Sequence, residues 1–376
     1  MPNSNRGSSS LAISRDGTTI VGKALTANAP VAMRKVGSGP LSSLGVLNNY
    51  LSSYANACSG DGLRVVGQCN TLTSSTAFLW TLSGGMVDMG SMLPGQSSAA
   101  YGISADGTII VGTSGTSAFR WTATSGMVNI GTLGGTGTST IAVGISADGS
   151  TIVGSSGNQA VRKVGTQPLA GLGDLPGSAE FSYATAASAD GSAIVGVGTS
   201  TLGTEAFRWT AASGMVGLGS LVDPFDDFYS EAYAVSPDGA FVGGQSVYAG
   251  DDVAFLWSES LGMVDIRAYL LALGVLNVED WQLERATGIT SDGTVLTIVG
   301  FGLNPAGTTE GWKARVLIPA ATCPGDFNGD TSVDDFDYFD FLNAFFANDM
   351  SADFNGDTSV DDFDYFDFLN AFFASC

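Results

Sequence analysis

Short runs of alternating apolar and small or polar residues, each closed by Gly, Ser, Thr or Asp, recur from the N-terminal region to about residue 318. The clearest unit begins with Ala-Tyr-Gly-Ile-Ser (100–104), which leads into Asp106-Gly107, and continues with Thr-Ile-Ile-Val-Gly (108–112). Ser-Ala-Phe-Arg-Trp-Thr (117–122) and Gly-Met-Val-Asn-Ile-Gly-Thr-Leu (126–133) complete it. Runs of this length, rich in β-branched and aromatic residues and bounded by turn formers, predict four short strands. Asp-Gly between two apolar runs predicts a tight hairpin, because Gly takes positive φ at little steric cost.

The unit recurs seven times, with its turn aspartate at Asp16, Asp61, Asp106, Asp148, Asp190, Asp238 and Asp292, at intervals of 42 to 54 residues. The third run returns as Ala-Phe-Leu-Trp (77–80), Ala-Phe-Arg-Trp (206–209) and Ala-Phe-Leu-Trp (254–257), and as Ala-Met-Arg-Lys (32–35) and Ala-Val-Arg-Lys (160–163). A four-stranded sheet with two apolar faces cannot bury itself alone, so the units must stack, and seven can close a ring. The expected fold is therefore all-β, a seven-bladed β-propeller of four-stranded blades. A β-sandwich is the runner-up, but it does not require seven near-equal periods. The long last interval carries Ile-Arg-Ala-Tyr-Leu-Leu-Ala-Leu-Gly (266–274), where a short helix is expected. The seventh unit offers Ala-Thr-Gly-Ile (286–289), Val-Leu-Thr-Ile-Val-Gly (295–300) and Ala-Arg-Val-Leu-Ile (314–318), but no fourth run.

At these residues the chain resembles the HAF-repeat family of extracellular proteins, over roughly residues 10–318. Ile-Ser-Ala-Asp-Gly, Ile-Val-Gly, Ala-Phe-Arg-Trp and Gly-Met-Val-x-x-Gly carry the resemblance by recurring in order. It implies export and says little about activity.

Composition changes the picture most at the C-terminus. The 376 residues carry 36 acidic and 14 basic groups, a net charge of −22, which argues against nucleic acid as a partner. Thirteen aspartates and no basic residue fall between Cys323 and Cys376. Two polypeptides of different character thus meet near Pro319, giving expected domains of 1–319 and 320–376. No run of 18 apolar residues exists, so no membrane span is expected.

Residues 326–347 and 353–374 are the same 22 residues. Each copy opens with Asp-x-Asn-x-Asp-x-Ser-x-Asp-x-x-Asp, whose spacing matches a twelve-residue calcium loop. The expected ligands of one ion are Asp326, Asn328, Asp330, Ser332 through its carbonyl, Asp334 and Asp337. Those of the second are Asp353, Asn355, Asp357, Ser359, Asp361 and Asp364. Carboxylates ~5 Å apart repel by about 3 kcal/mol per pair at an effective dielectric near 20, and a bound dication removes that repulsion. Phe336, Phe339, Leu342 and Phe346 recur at helical spacing after the loop and are expected to pack the two loop–helix units together. The segment resembles the dockerin family, which implies two calcium ions and a role in attachment or sorting. It departs from that family at loop position 6, where Thr331 and Thr358 replace the usual Gly. Asp335-Phe336 and Asp362-Phe363 stand where cohesin-binding members carry small hydroxyl residues. The partner stays open between a cell-surface protein and a cohesin-like complex.

Cys323 and Cys376 bracket this segment and predict a staple in an oxidising compartment; a bridge between Cys58 and Cys69 is also conceivable. The first residues lack the apolar core of a signal peptide. Export and the missing fourth run together predict that Met1 is internal to a longer precursor, with a signal peptide and one further strand upstream.

Candidate chemistry in the repeats is sparse. With no His in the chain, Ser-His-Asp triads are unavailable. Glu180, Glu205, Glu231 and Asp251 are unplaced carboxylates for glycoside hydrolysis, but no motif selects a pair. The turn aspartates could ligate ions, though hairpin-shaping hydrogen bonds explain them. Trp80, Trp121, Trp209 and Trp257 could stack on sugars, but their fixed strand position favours blade-core packing. Arg34, Arg120, Arg162 and Arg208 beside them are assigned structural roles. The expected function is a secreted or cell-surface, non-enzymatic binding or structural propeller, with a glycan as candidate ligand. The alternative is a polysaccharide-degrading enzyme with a dockerin-like tail.

Overall fold

The computed structural model describes residues 7–26, 29–135, 137–177, 181–221, 228–318, 325, 327–328, 332–354 and 359–373. The chain divides into two compact units, Met1–Val316 and Leu317–Cys376.

Among the described residues the first unit contains seven antiparallel sheets, six with four strands and one with three, each a simple meander in chain order. The inner strands begin with Ser8–Ile13 in blade 1 and Ser52–Cys58 in blade 2, and continue with Ser98–Ile103, Thr140–Ile145, Ser182–Ala187, Ser230–Val235 and Gln282–Ser291. The three-stranded sheet is blade 7, as the run pattern predicts. A helix, α1 (Ile266–Ala272), capped by the Asp265 side chain on the N–H groups of Arg267 and Ala268, accounts for the long interval between turns six and seven.

The repeat motifs are written for packing between blades. In Ile-Val-Gly the two β-branched side chains point to opposite faces of the sheet, so each meets a different neighbour. Ile110 packs with Val66 and Ala77 of blade 2, whereas Val111 packs with Ala142 and Ile152 of blade 4. Ala118 and Phe119 divide in the same way. Trp80, Trp121, Trp209 and Trp257 each edge one of these inter-blade clusters. The recurrent arginines do not converge on a point. Arg34 and Arg208 each donate from Nε to the next blade's turn carbonyl, Gly62 O and Gly239 O, at 2.9 Å. Arg162 lies 4.3 Å over the Trp209 ring.

A buried serine locks successive blades. Ser98 Oγ accepts from Ala77 N at 2.9 Å and donates to Gly90 O at 2.6 Å, and Ser53, Ser182 and Ser230 repeat the arrangement. Blades 7 and 1 join through the same kind of lateral contact. Gly311 N donates to Ser8 Oγ at 3.3 Å, and Thr287 Oγ1 donates to Ser10 O at 2.9 Å.

Each Ser-x-Asp-Gly turn is built alike. In blade 3, Ser104 Oγ donates to Asp106 Oδ1 at 2.6 Å, Thr108 N donates to Asp106 Oδ1 at 2.9 Å, and Ile109 N donates to Ser104 Oγ at 3.1 Å. Gly107 takes φ +70°. These hydrogen bonds hold the carboxylate of Asp106 below its ordinary range, with the Ser104 hydroxyl the largest cause. At Asp190 the backbone N–H of Ser192 leads and brings the value to about 2. Asp16, Asp61, Asp148 and Asp292 shift in the same direction. A depressed folded value means stability that is present above the unfolded carboxylate range, near pH 4, and lost as pH falls through the folded values. All six tryptophans lie in this unit, so tryptophan emission reports it alone. The thermal midpoint read that way should be flat from pH 7 to about 4.5 and fall between about 4 and 2. A decline beginning near pH 6 would assign acid sensitivity to other groups.

Cys58 and Cys69 are free thiols and form no bridge. The hairpin pairs Cys58 with Val65 and Cys69 with Ser53. The two cysteines are therefore about five residues apart along the ladder, roughly 15 Å at strand rise, far beyond disulfide reach. Cys323 and Cys376 lie outside the described residues.

The second unit pairs α2 (Asp335–Phe346) with α3 (Asp362–Phe373) through stacked rings of Phe341 and Phe368, 4.1 Å apart and within 6° of parallel. Tyr338 and Phe345, with Tyr365 and Phe372, complete the packed face. The expected packing face was Phe336, Phe339, Leu342 and Phe346, and the structure corrects it. Phe336, Phe339 and Phe346 are 70%, 58% and 79% exposed, as are their counterparts Phe363, Phe366 and Phe373 to similar degrees. Each helix carries two apolar stripes, and the loop decides between them. Asp337 is fully buried, which turns the face one and two turns further on, Phe341 and Phe345, inward.

Candidate functional site

The propeller's inner strands share one irregularity. In every blade the ladder between first and second strands slips by one residue at the same place, three positions before the turn serine or its equivalent. The residue left over is Leu11, Asn56, Tyr101, Val143, Thr185, Tyr233 or Thr287 in blades 1 to 7. Such a bulge bends the strand and re-aims the extra side chain. All seven bulged residues line one cavity of about 340 Å³ at one end of the central channel, together with Tyr183, Arg285 and Phe301.

The glycine of Ile-Val-Gly permits the slip. On Gly22, Gly67, Gly112, Gly154, Gly196, Gly244 and Gly300 a Cβ would stand 1.9–2.0 Å from a carbonyl oxygen of the inner strand. Only a residue without a side chain lets the bulged backbone come that close. Small buried residues flank the bulge, such as Ala55, Ala100, Ala142, Ala184, Ala232 and Ala286 on its N-terminal side. The repeat thus holds glycine and alanine constant in order to present a position that it leaves free to vary.

Toward the turns the channel narrows to Ile13, Cys58, Ile103, Ile145, Ala187, Val235 and Ile289. Burial pushes the Cys58 thiol up to about 12, so it is a protonated wall residue rather than a nucleophile. Beyond it a belt of backbone hydrogen bonds joins successive turns, with Gly60 N to Ala105 O and Ala105 N to Ala147 O both at 2.9 Å.

Polar groups at the mouth are partly committed. Asn56 Nδ2 donates to Ala100 O at 2.9 Å, Thr185 Oγ1 to Ala232 O at 2.7 Å and Thr287 Oγ1 to Ser10 O at 2.9 Å, each reaching the neighbouring blade. Arg285 donates from Nε (2.8 Å) and Nη2 to the amide oxygen of Gln245, and its guanidinium lies 4.5 Å over the Tyr233 ring and 5.5 Å over Phe301. Tyr233 donates its hydroxyl to Glu231. Burial, reinforced by that bond, lifts the Tyr233 phenol well above its usual range, and burial brings Tyr183 to about 12. Tyr229 also rises to about 12, through burial and then the Glu231 charge. These phenols are hydrogen-bond donors and stacking faces, not bases.

Of the three candidate carboxylates among the described residues, Glu231 alone stands beside the mouth. Glu205 is buried and accepts from Gly219 N at 3.0 Å, a structural role, and Asp251 is exposed on an outer strand. Glu180 lies outside the described residues. Sequence reasoning did not select Asn56, Tyr101, Thr185, Tyr233 or Arg285. The available signal was variability: within the repeat these positions differ while their neighbours do not.

In the C-terminal unit, Asn328, Ser332, Asp334 and Asp337 of the first loop are described, with Asp353, Ser359, Asp361 and Asp364 of the second. Asp326, Asp330, Asn355 and Asp357 lie outside the described residues, and among the described residues no three acidic groups converge closely enough to hold a metal. Asp337 Oδ1 accepts from Asn328 N and Oδ2 from Asp334 N, both at 3.0 Å, and Asp364 repeats this with Phe354 N and Asp361 N. Both carboxylates are fully buried in a segment with no basic residue. Buried charge of one sign calls for compensation. The donor set is all oxygen, without thiolate or imidazole in the loops, which suits a hard dication such as calcium.

No family model matches the chain, and no curated protein matches it. Solved structures do. A structure from a study of two prolyl endopeptidases matches with a TM-score of 0.54 at 11% identity, over 84% of this chain and 50% of that one. TolB from Acinetobacter baumannii matches at 0.44 and 16%, over 69% of this chain and 62% of that one. Virginiamycin B lyase from Staphylococcus aureus matches at 0.48 and 14%, over 78% and 91%. The chain thus spans 62% and 50% of the lengths of TolB and of the prolyl endopeptidase chain. At such identities the likeness is one of fold. The fold is a seven-bladed β-propeller.

Proposed function

We propose that this protein is a non-enzymatic, extracellular binding propeller of the HAF-repeat kind, that its ligand is a glycan held at the bulge-lined mouth, and that its acidic module binds two calcium ions for attachment. One observation carries the binding site: seven bulges, each made possible by a strand glycine, bring the freely varying position of every repeat to a single cavity. The cavity volume of about 340 Å³ lies at the lower end of small-molecule pockets, about 300–1,000 Å³, and its tyrosines offer stacking faces for a sugar ring.

For the module, the outward phenylalanine stripes on α2 and α3 favour attachment to a protein. Asp335 and Asp340 edge the first stripe, and Asp362 and Asp367 the second. The partner surface would be apolar with a basic rim.

Glycan-array screening of the full chain tests the reading. Binding to a restricted set of glycans is expected, and it should survive calcium chelation because the mouth contains no calcium loop. Release of shortened products from a bound glycan would favour the hydrolase instead. An array blank at all concentrations would remove the glycan assignment.

A further inference from the structure

We propose that the ligand at the mouth carries a single carboxylate on a polyhydroxylated ring, the chemistry of a uronic acid. The proposal rests on reading the mouth as the ligand site. Among the described residues, Arg285 is the one charged side chain lining that cavity. Its described partners are the neutral amide of Gln245 and the faces of Tyr233 and Phe301. No carboxylate neutralises it through a salt bridge among the described residues. A guanidinium placed over two ring faces and tied through Nε and Nη2 keeps its remaining N–H groups for a planar anion.

The surrounding acids restrict that anion. Glu231 stands beside Tyr233 and Tyr229, and burial, then the Asp252 charge, raises the Glu284 carboxyl against the opposing charge of Arg285. With Glu231 and Glu284 near, a dianion such as a phosphate ester is repelled more than a monocarboxylate. The uncharged wall supplies the second requirement. Thr185 and Thr287 spend their hydroxyl protons on backbone carbonyls of the next blade, and Asn56 turns its Nδ2 the same way. What these three side chains still offer is mainly acceptor oxygen. The ligand must therefore bring hydroxyl donors as well as its carboxylate, and Tyr101 and Tyr183 supply faces for its ring.

The test is equilibrium titration of the full chain with galacturonate and glucuronate oligosaccharides, their methyl esters, and the matching neutral sugars. A free uronate should bind at least tenfold more tightly than its ester or neutral counterpart, and the difference should shrink as salt is added. Arg285→Gln should erase the preference. Gln245→Glu keeps the arginine but pairs it internally, and should erase the preference too; it carries the test if Arg285→Gln fails to fold. Esters that bind as tightly as free acids would overturn the carboxylate assignment while leaving the mouth as the glycan site. Binding of no sugar of any class would overturn both.

Discussion

Replacing Gly112 with alanine should destabilise the propeller by about 3 kcal/mol or more, the upper end of what overpacking costs. Alanine in a strand ordinarily gains about 0.5–1 kcal/mol over glycine, so the expected sign is reversed. The cause is local. A Cβ on Gly112 would stand 2.0 Å from Ala99 O and 2.9 Å from the Phe119 ring. The ring tip is part of a closed inter-blade cluster, and the carbonyl belongs to the bulged strand. Relief requires that strand to move, which withdraws Tyr101 from the mouth. Guanidinium unfolding followed by tryptophan emission measures the loss. A variant as stable as the parent would mean that the strands do not approach as described. Val128→Ala, at a half-exposed site, should change stability by less than about 0.5 kcal/mol and serves as the comparison.

Removing calcium should unfold the C-terminal unit and leave the propeller intact. The two buried carboxylates, Asp337 and Asp364, sit in a segment without basic residues, and the proposed dication would supply compensating charge there. Chelation of the full chain should lower the helical circular dichroism signal from α2 and α3 and expose the region to protease. Tryptophan emission, confined to the other unit, should not change. Calcium should reverse both effects with two ions bound per chain. Asp337→Asn removes a buried charged acceptor and should weaken the calcium midpoint at least tenfold, with the second loop affected through the Phe341–Phe368 stack. Identical helical signal in chelator and in millimolar calcium would rule out the coupling of ion and fold.

The repeat made the architecture legible. The Ser-x-Asp-Gly turns, the four runs and the short helix near 266 follow from period, turn chemistry and apolar patterning, because those are properties of local sequence. The site was harder to read for a physical reason. A bulge shifts register by one residue without changing which residues are apolar, and its mark is a glycine on the adjacent strand. The residues proposed to bind are those in which the repeats disagree, so a search for recurring motifs passes over Asn56, Tyr101 and Tyr233. Arg285 sits in the least regular blade, where the repeat gives no register. In the module, two apolar stripes per helix satisfied the same periodicity, and burial of Asp337 chose Phe341 over Phe339.

If the bulged positions form the ligand site, titration of mouth variants will show it directly. With a glycan identified on the array, Tyr101→Ala and Tyr233→Ala in the full chain should each weaken binding at least tenfold, since aromatic stacking contributes about 1–3 kcal/mol per ring in comparable settings. Tyr248→Ala, on an exposed tyrosine away from the channel, should bind as the parent does. Folded mouth variants with parental affinity, or loss of binding only in Tyr248→Ala, would place the ligand elsewhere on the propeller.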